Sequence, residues 1–94
     1  MNPGGFSIEQ HPKIVSEDVP RLGHPIRKRI FSVIMNKLTV NPYLFGKPLS
    51  QSLKNCRSLR IGDYRVVYVI IGSRVRILSV RHRSKGYEGI EGRL

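Results

Sequence analysis

The chain has 94 residues, with 17 Lys and Arg against 6 Asp and Glu, for a net charge of +11. That length suits one domain, residues 1–94, with a modest core; the lone Cys56 excludes a disulfide scaffold, and the longest apolar run, residues 66–71, is too short to cross a bilayer. No basic-then-apolar leader opens the chain, so a soluble cytoplasmic protein is expected, and a field so strongly of one sign points to a polyanion, nucleic acid before an acidic protein, rather than a membrane.

Residues 1–5, MNPGG, read as a frayed start, and residues 6–10, FSIEQ, alternate as a short strand would. Pro12 opens a short helix towards Glu17 and Asp18, which Pro20 limits. Residues 25–40 carry the strongest helical pattern: Ile26, Ile30, Val33, Ile34 and Leu38 recur at helical spacing, opposite Arg27, Lys28 and Arg29, and Asn41-Pro42 ends the run. Residues 41–56 read as irregular, broken by Pro42, Gly46 and Pro48 and anchored by Tyr43, Leu44, Phe45, Leu49 and Leu53. Lys47 and Lys54 add to the positive field there.

Residues 57–87 hold three runs rich in β-branched and aromatic residues, divided by Gly62-Asp63 and Gly72-Ser73, the pattern of an antiparallel meander. Two-residue turns set the register, placing Ile61 opposite Tyr64, Arg60 opposite Arg65, Ile71 opposite Arg74, Val69 opposite Arg76 and Val67 opposite Leu78. One face then gathers Leu59, Ile61, Tyr64, Val66, Tyr68, Ile70, Val75 and Ile77 beneath the helices, for a two-layer α+β domain with a mainly antiparallel sheet of about four strands. The other face gathers Ser58, Arg60, Arg65, Arg74, Arg76 and His82 around Val67, Val69, Ile71, Leu78 and Val80, and is expected to be basic and open. Like charges opposite one another destabilise a sheet, so Arg60 beside Arg65 suggests an anion between them, and guanidinium forks suit a phosphodiester.

After the third strand, RHRSKGYE crowds Arg81, His82, Arg83, Lys85 and Tyr87 together; strict alternation sends Arg83 towards the helices unless the strand bends. Scattered carboxylates and a single Cys offer no metal site, and no cofactor motif appears. Arginine, histidine, lysine and tyrosine suit RNA cleavage in which the 2′-hydroxyl attacks its own phosphodiester, with His82 as base or acid and Tyr87 as proton donor or stacking ring. Solvated arginines, a structural His and a Tyr at a core edge account for the same residues.

The blocks GKPLSQSLKN, SLRIGDYRVVYVI and VRILSVRHRSKGY resemble the RelE/ParE superfamily, the toxins of type II toxin–antitoxin modules. The resemblance implies a helical hairpin on a twisted sheet and, in the RelE branch, a ribosome-dependent endoribonuclease that cuts mRNA in the A site without metal. Its implied partners are mRNA, the 70S ribosome and a cognate acidic antitoxin. Carried over by motif, Arg65 and Arg83 match phosphate-stabilising arginines and Tyr87 the catalytic aromatic, with His82 completing an HR-x-x-x-Y pattern. Arg57, Arg60, Arg74, Arg76, Arg81, Lys47, Lys54 and Lys85 are the RNA-binding candidates. Cys56 and Ser58 stand where the best-known members have lysines, and Arg57, Arg60 or Lys54 are candidate replacements. The alternatives are a ParE-like gyrase poison or a basic RNA-binding module without catalysis.

Overall fold

A computed structural model describes residues 5–94, so the frayed start expected for residues 1–5 lies, Gly5 apart, outside the described residues. Strand β1 (Ser7–Gln10) leads into helix α1, residues 12–21, whose wide turn at Ile14–Asp18 tightens to Val19–Arg21. Pro20 limits this helix as expected: the wide turn ends at Asp18, and Pro20 sits in the tightened last turn that closes at Arg21 before Leu22 takes up extended geometry. Helix α2, residues 24–38, runs His24–Val33 and closes in a wide turn at Ile34–Leu38. The meander follows as β3 (Cys56–Ile61), β4 (Tyr64–Ile71) and β5 (Arg74–His82), preceded by a two-residue strand β2 (Lys47–Pro48) inside the segment that reads as irregular.

The five strands lie in the order β1-β5-β4-β3-β2. All neighbours are antiparallel except β1 and β5, which pair in parallel from Ser7 opposite Arg74 to Gln10 opposite Ile77. The helices cover one face: Ile14, Leu22, Ile30, Ile34 and Leu38 pack on Leu59, Ile61, Val66, Tyr68, Val75 and Ile77, as the alternation requires.

The register departs from strict alternation at one place. Tyr68 lies opposite Ile77 but Val67 lies opposite Ser79, so Leu78 is an extra residue in β5 and the expected Val67–Leu78 pair does not form. A bulge of this kind reverses the parity of everything beyond it. Val80 therefore joins the core under the helices instead of the second face, Arg81 turns to the second face opposite Arg65, and His82 lands on the helix side opposite Tyr64.

The second face is not open along its length. Val67, Leu78, Leu53, Cys56 and Ile90 form a separate buried cluster, with Leu49, Val69 and Tyr87 against it, so the segment from Gln51 and the chain after β5 cover the middle of the sheet. Leu49 and Leu53 anchor as expected, but Tyr43 and Leu44 are 59% and 71% exposed. The loop around them is held instead through its backbone. Arg57 donates to the carbonyls of Tyr43, Phe45 and Gly46 at 3.0, 3.3 and 3.1 Å, and the Tyr68 hydroxyl lies 2.8 and 2.6 Å from those of Pro42 and Phe45.

Beyond Ile77, β5 has no strand on its outer side, and two side chains take over that edge. The Val80 N–H donates to Asp18 Oδ2 at 2.9 Å, while Arg93 donates to the Leu78 carbonyl at 2.9 Å and grips Asp18 through both nitrogens, at 2.8 and 3.1 Å. Asp18 and Arg93 are both almost fully buried. Removing one member of such a pair strands the other charge, so Arg93→Ala should lower unfolding free energy by about 3 kcal/mol in urea titration, and adding Asp18→Ala to it should cost less than the sum of the single changes. Beside the bulge, Ser79 buries a hydroxyl that finds no partner, and Ser79→Ala should raise stability by about 1 kcal/mol in the same assay.

Candidate active site

The bulge creates the arrangement on which the site rests. Arg60 on β3, Arg65 on β4 and Arg81 on β5 lie opposite one another in register, a row of three guanidinium groups across three strands. Arg60 Nε donates to the Gly62 carbonyl at 2.9 Å, and Arg81 Nη1 donates to the Glu88 carbonyl at 2.7 Å. Among the described residues no carboxylate pairs with the row: Glu9, Glu17, Asp18 and Asp63 are engaged with Arg74, Lys13, Arg93 and Arg83.

Tyr87 reaches this row through the local geometry of HR-x-x-x-Y. The His82 ring caps the tight turn Arg83–Lys85, its Nδ1 accepting from the Ser84 N–H at 3.1 Å with the Ser84 hydroxyl 2.8 Å away. Gly86 then takes a φ of 64°, open to glycine but strained for other residues, and reverses the chain over the sheet. The Arg65 guanidinium sits 5.3 Å from the Tyr87 ring centroid, a cation–π contact, and the Tyr87 hydroxyl is 3.4 Å from Ser58 Oγ. Lys47, Leu49, Ser58, Arg60, Arg65 and Tyr87 line a cleft of about 540 Å³. That volume lies in the range that holds small organic ligands, enough for a nucleotide.

The other candidates lie elsewhere. His82 faces the helix side, its ring packed edge-on at 5.2 Å against Tyr64, and shares a small hollow there with Arg21 and Lys85. Its place in the motif is that of a cap. Arg83 stands at the β3–β4 turn, where its N–H donates to the Asp63 carbonyl at 2.8 Å and its Nε is 3.8 Å from the Asp63 carboxylate. It borders the end of the arginine row without lining the cleft. Arg57 points to the helix side, and its donors are taken up by the loop carbonyls, so it is a structural staple. Arg74 pairs with Glu9 at 3.4 Å at the far end of the sheet, Arg76 lies opposite Val69 towards that same end, and Lys54 borders a groove with Leu53 and Leu94.

Of the two positions that depart from the family's lysines, Ser58 lines the cleft, whereas Cys56 is buried in the second cluster and burial pushes its thiol pKa up, away from nucleophilic use. Among the described residues no three His, Cys, Asp or Glu side chains are placed to share a metal ion.

Fold and cleft together define a small basic α+β domain that offers guanidinium groups and a phenol to an anion on one sheet face. The chain belongs to the RelE/ParE superfamily of toxins of type II toxin–antitoxin systems: the family described as "ParE toxin of type II toxin-antitoxin system, parDE" matches residues 9–87. Toxin RelE of Mycobacterium tuberculosis is 38% identical over 74 residues, 77% of this chain and 76% of that protein. The toxin in the toxin–antitoxin complex RelBE2 from the same organism superposes with a TM-score of 0.78 at 28% identity, over 84% of this chain and 99% of that one. The fold is also that of a mutant Escherichia coli toxin RelE in the free state, with a TM-score of 0.72 at 17% identity, over 95% and 93% of the two chains.

Because Arg65 stands between two like charges, Arg65→Ala should leave thermal stability unchanged or raise it by up to about 1 kcal/mol. A clear fall in the melting midpoint would mean that Arg65 is part of the scaffold.

Proposed function

We infer that this toxin is a metal-independent endoribonuclease that enters the ribosomal A site, cuts the mRNA there and so arrests translation. The observation that carries this reading is the row Arg60, Arg65 and Arg81 with Tyr87 over its centre. In cleavage by the 2′-hydroxyl, the attacking oxygen loses its proton as it bonds to phosphorus, the 5′-oxygen leaves and takes up a proton, and negative charge grows on the non-bridging oxygens. Preorganised guanidinium groups stabilise that growing charge more than the charge of the resting diester, which is what accelerates a reaction. Arg65, central in the row and held against the Tyr87 ring, takes this role; Arg60 and Arg81 flank it, and Arg83 reaches the strand from the turn. Tyr87 either protonates the leaving oxygen or stacks on a base beside it.

A cognate acidic antitoxin from the same operon is the partner in this reading. Its support is the related Mycobacterium tuberculosis structure, which is a toxin–antitoxin complex, together with the charge of +11. The family description keeps a ParE-type gyrase poison as the rival, a protein that would bind without cutting.

Induced expression should halt translation and leave mRNA cut within ribosome-covered coding regions while DNA supercoiling stays normal. Intact transcripts accompanied by gyrase-trapped DNA breaks would decide for the rival. In single-turnover cleavage of ribosome-bound mRNA, Arg65→Ala should be slower by roughly 10²- to 10³-fold, with Arg65→Lys restoring only part of the rate because an ammonium lacks the planar fork. His82→Ala, away from the cleft, should cut at a rate near that of the parent.

A further inference from the structure

Strand β2 is only two residues long, yet its position is fixed from the opposite face of the sheet. The carbonyls just ahead of it, from Pro42 to Gly46, are bound by Arg57 and Tyr68, and burial pushes the Tyr68 phenol pKa up, keeping its proton in place. Gly46 has a φ of 73°, and a Cβ there would sit 2.7 Å from the Tyr68 hydroxyl oxygen, so the loop approaches the sheet as closely as backbone can.

The next residue, Lys47, is thereby set directly opposite Ser58, and residues opposite one another share a face. Ser58 is the residue whose hydroxyl lies against Tyr87. Lys47 therefore lines the cleft from the β2 wall while Arg60 and Arg65 line it from β3 and β4. Among the described residues it has no carboxylate partner. Three unpaired cations around one void, delivered by three different strands, form a convergent anion site rather than a solvated stripe along one element.

We propose that Lys47 is a catalytic residue of the RNA cleft: its ammonium contacts the scissile phosphodiester from the β2 side, opposite Arg60 and Arg65, so that the phosphate is held between two walls beside Tyr87. This deepens the ribonuclease reading and rests on it. An ammonium suits the position because it is a compact charge with three freely directed donors on a flexible stem, able to follow the phosphate as its geometry changes. Arg57, ten residues further along, acts only through the loop and is a positioning residue for Lys47.

The test compares Lys47→Ala and Lys47→Arg with Lys28→Ala, which removes the same charge from an exposed position on α2, away from the cleft. Two measurements are made: single-turnover cleavage of mRNA on programmed ribosomes, and NMR titration of the free toxin with a trinucleotide whose 2′-hydroxyls are methylated and so cannot attack. Lys47→Ala should cut roughly 10²-fold more slowly. Lys47→Arg should recover most of the loss, and Lys28→Ala should match the parent. In the titration the parent's Ser58, Arg65 and Tyr87 signals should shift, and Lys47→Ala should bind more weakly than Lys28→Ala. If Lys47→Ala cuts and binds as Lys28→Ala does, the assignment of Lys47 is overturned and the ribonuclease reading stands. If the parent binds the trinucleotide in the cleft but leaves mRNA intact on ribosomes, the ribonuclease reading and the catalytic role of Lys47 fall together.

Discussion

One extra residue in β5 decides which side chains meet. Because strand side chains alternate with a period of two, inserting Leu78 moves each later residue to the other face. At the same spot the outer edge of β5, without a neighbouring strand beyond Ile77, is closed by Asp18, which accepts from the Val80 N–H, and by Arg93, which donates to the Leu78 carbonyl. The buried ion pair thus lies beside the bulge, and the bulge sets the row of arginines. Without the bulge, Val80 would stand opposite Arg65, and Arg81, opposite Tyr64, would be pressed under the helices.

Much of the scaffold was legible from residue types alone. The two glycine turns, the strand pairings next to them and the apolar face under α2 follow from local chemistry that short stretches of chain carry in full, and the pairing of Arg60 with Arg65 came directly from the first turn. The bulge did not, because Leu78 and Ser79 are ordinary strand residues and nothing in their types announces a skipped partner. That single slip explains the misplacement of Val80 and His82 and the omission of Arg81 from the row. Arg57 is hidden for a different reason: a charged side chain on the covered face looks like any other surface arginine until the loop carbonyls that surround it are known. The cover over the second face escaped because Ile90 and Leu53 lie in stretches with no periodicity, where an isolated apolar residue carries no direction.

The cleft shows how the chain reconciles charge with folding. Three of its carboxylates, Glu9, Asp63 and Asp18, are engaged by cations outside the arginine row, in pairs that hold β1 to β5, the β3–β4 turn, and α1 to the sheet edge. Repulsion within the row is left uncompensated where solvent can screen it, while the buried Arg93 has acceptors on both terminal nitrogens. An anion bound there would relieve that repulsion, so affinity for it and fold stability would draw on the same groups with opposite sign.

The ion pair at the sheet edge also bears on the order in which the chain assembles. The meander joins neighbours through two-residue turns, whereas Asp18 and Arg93 are 75 positions apart, and the contact of Arg74 with Glu9 spans 65. Loops that long are entropically expensive to close before other contacts exist, an order of costs that favours the meander as the early nucleus and the edge as the late closure. Interactions made only after the transition state govern how fast a protein comes apart rather than how fast it comes together. On that order of events the Asp18–Arg93 clasp would act as a kinetic lock, setting the lifetime of the folded toxin more than the speed of its folding.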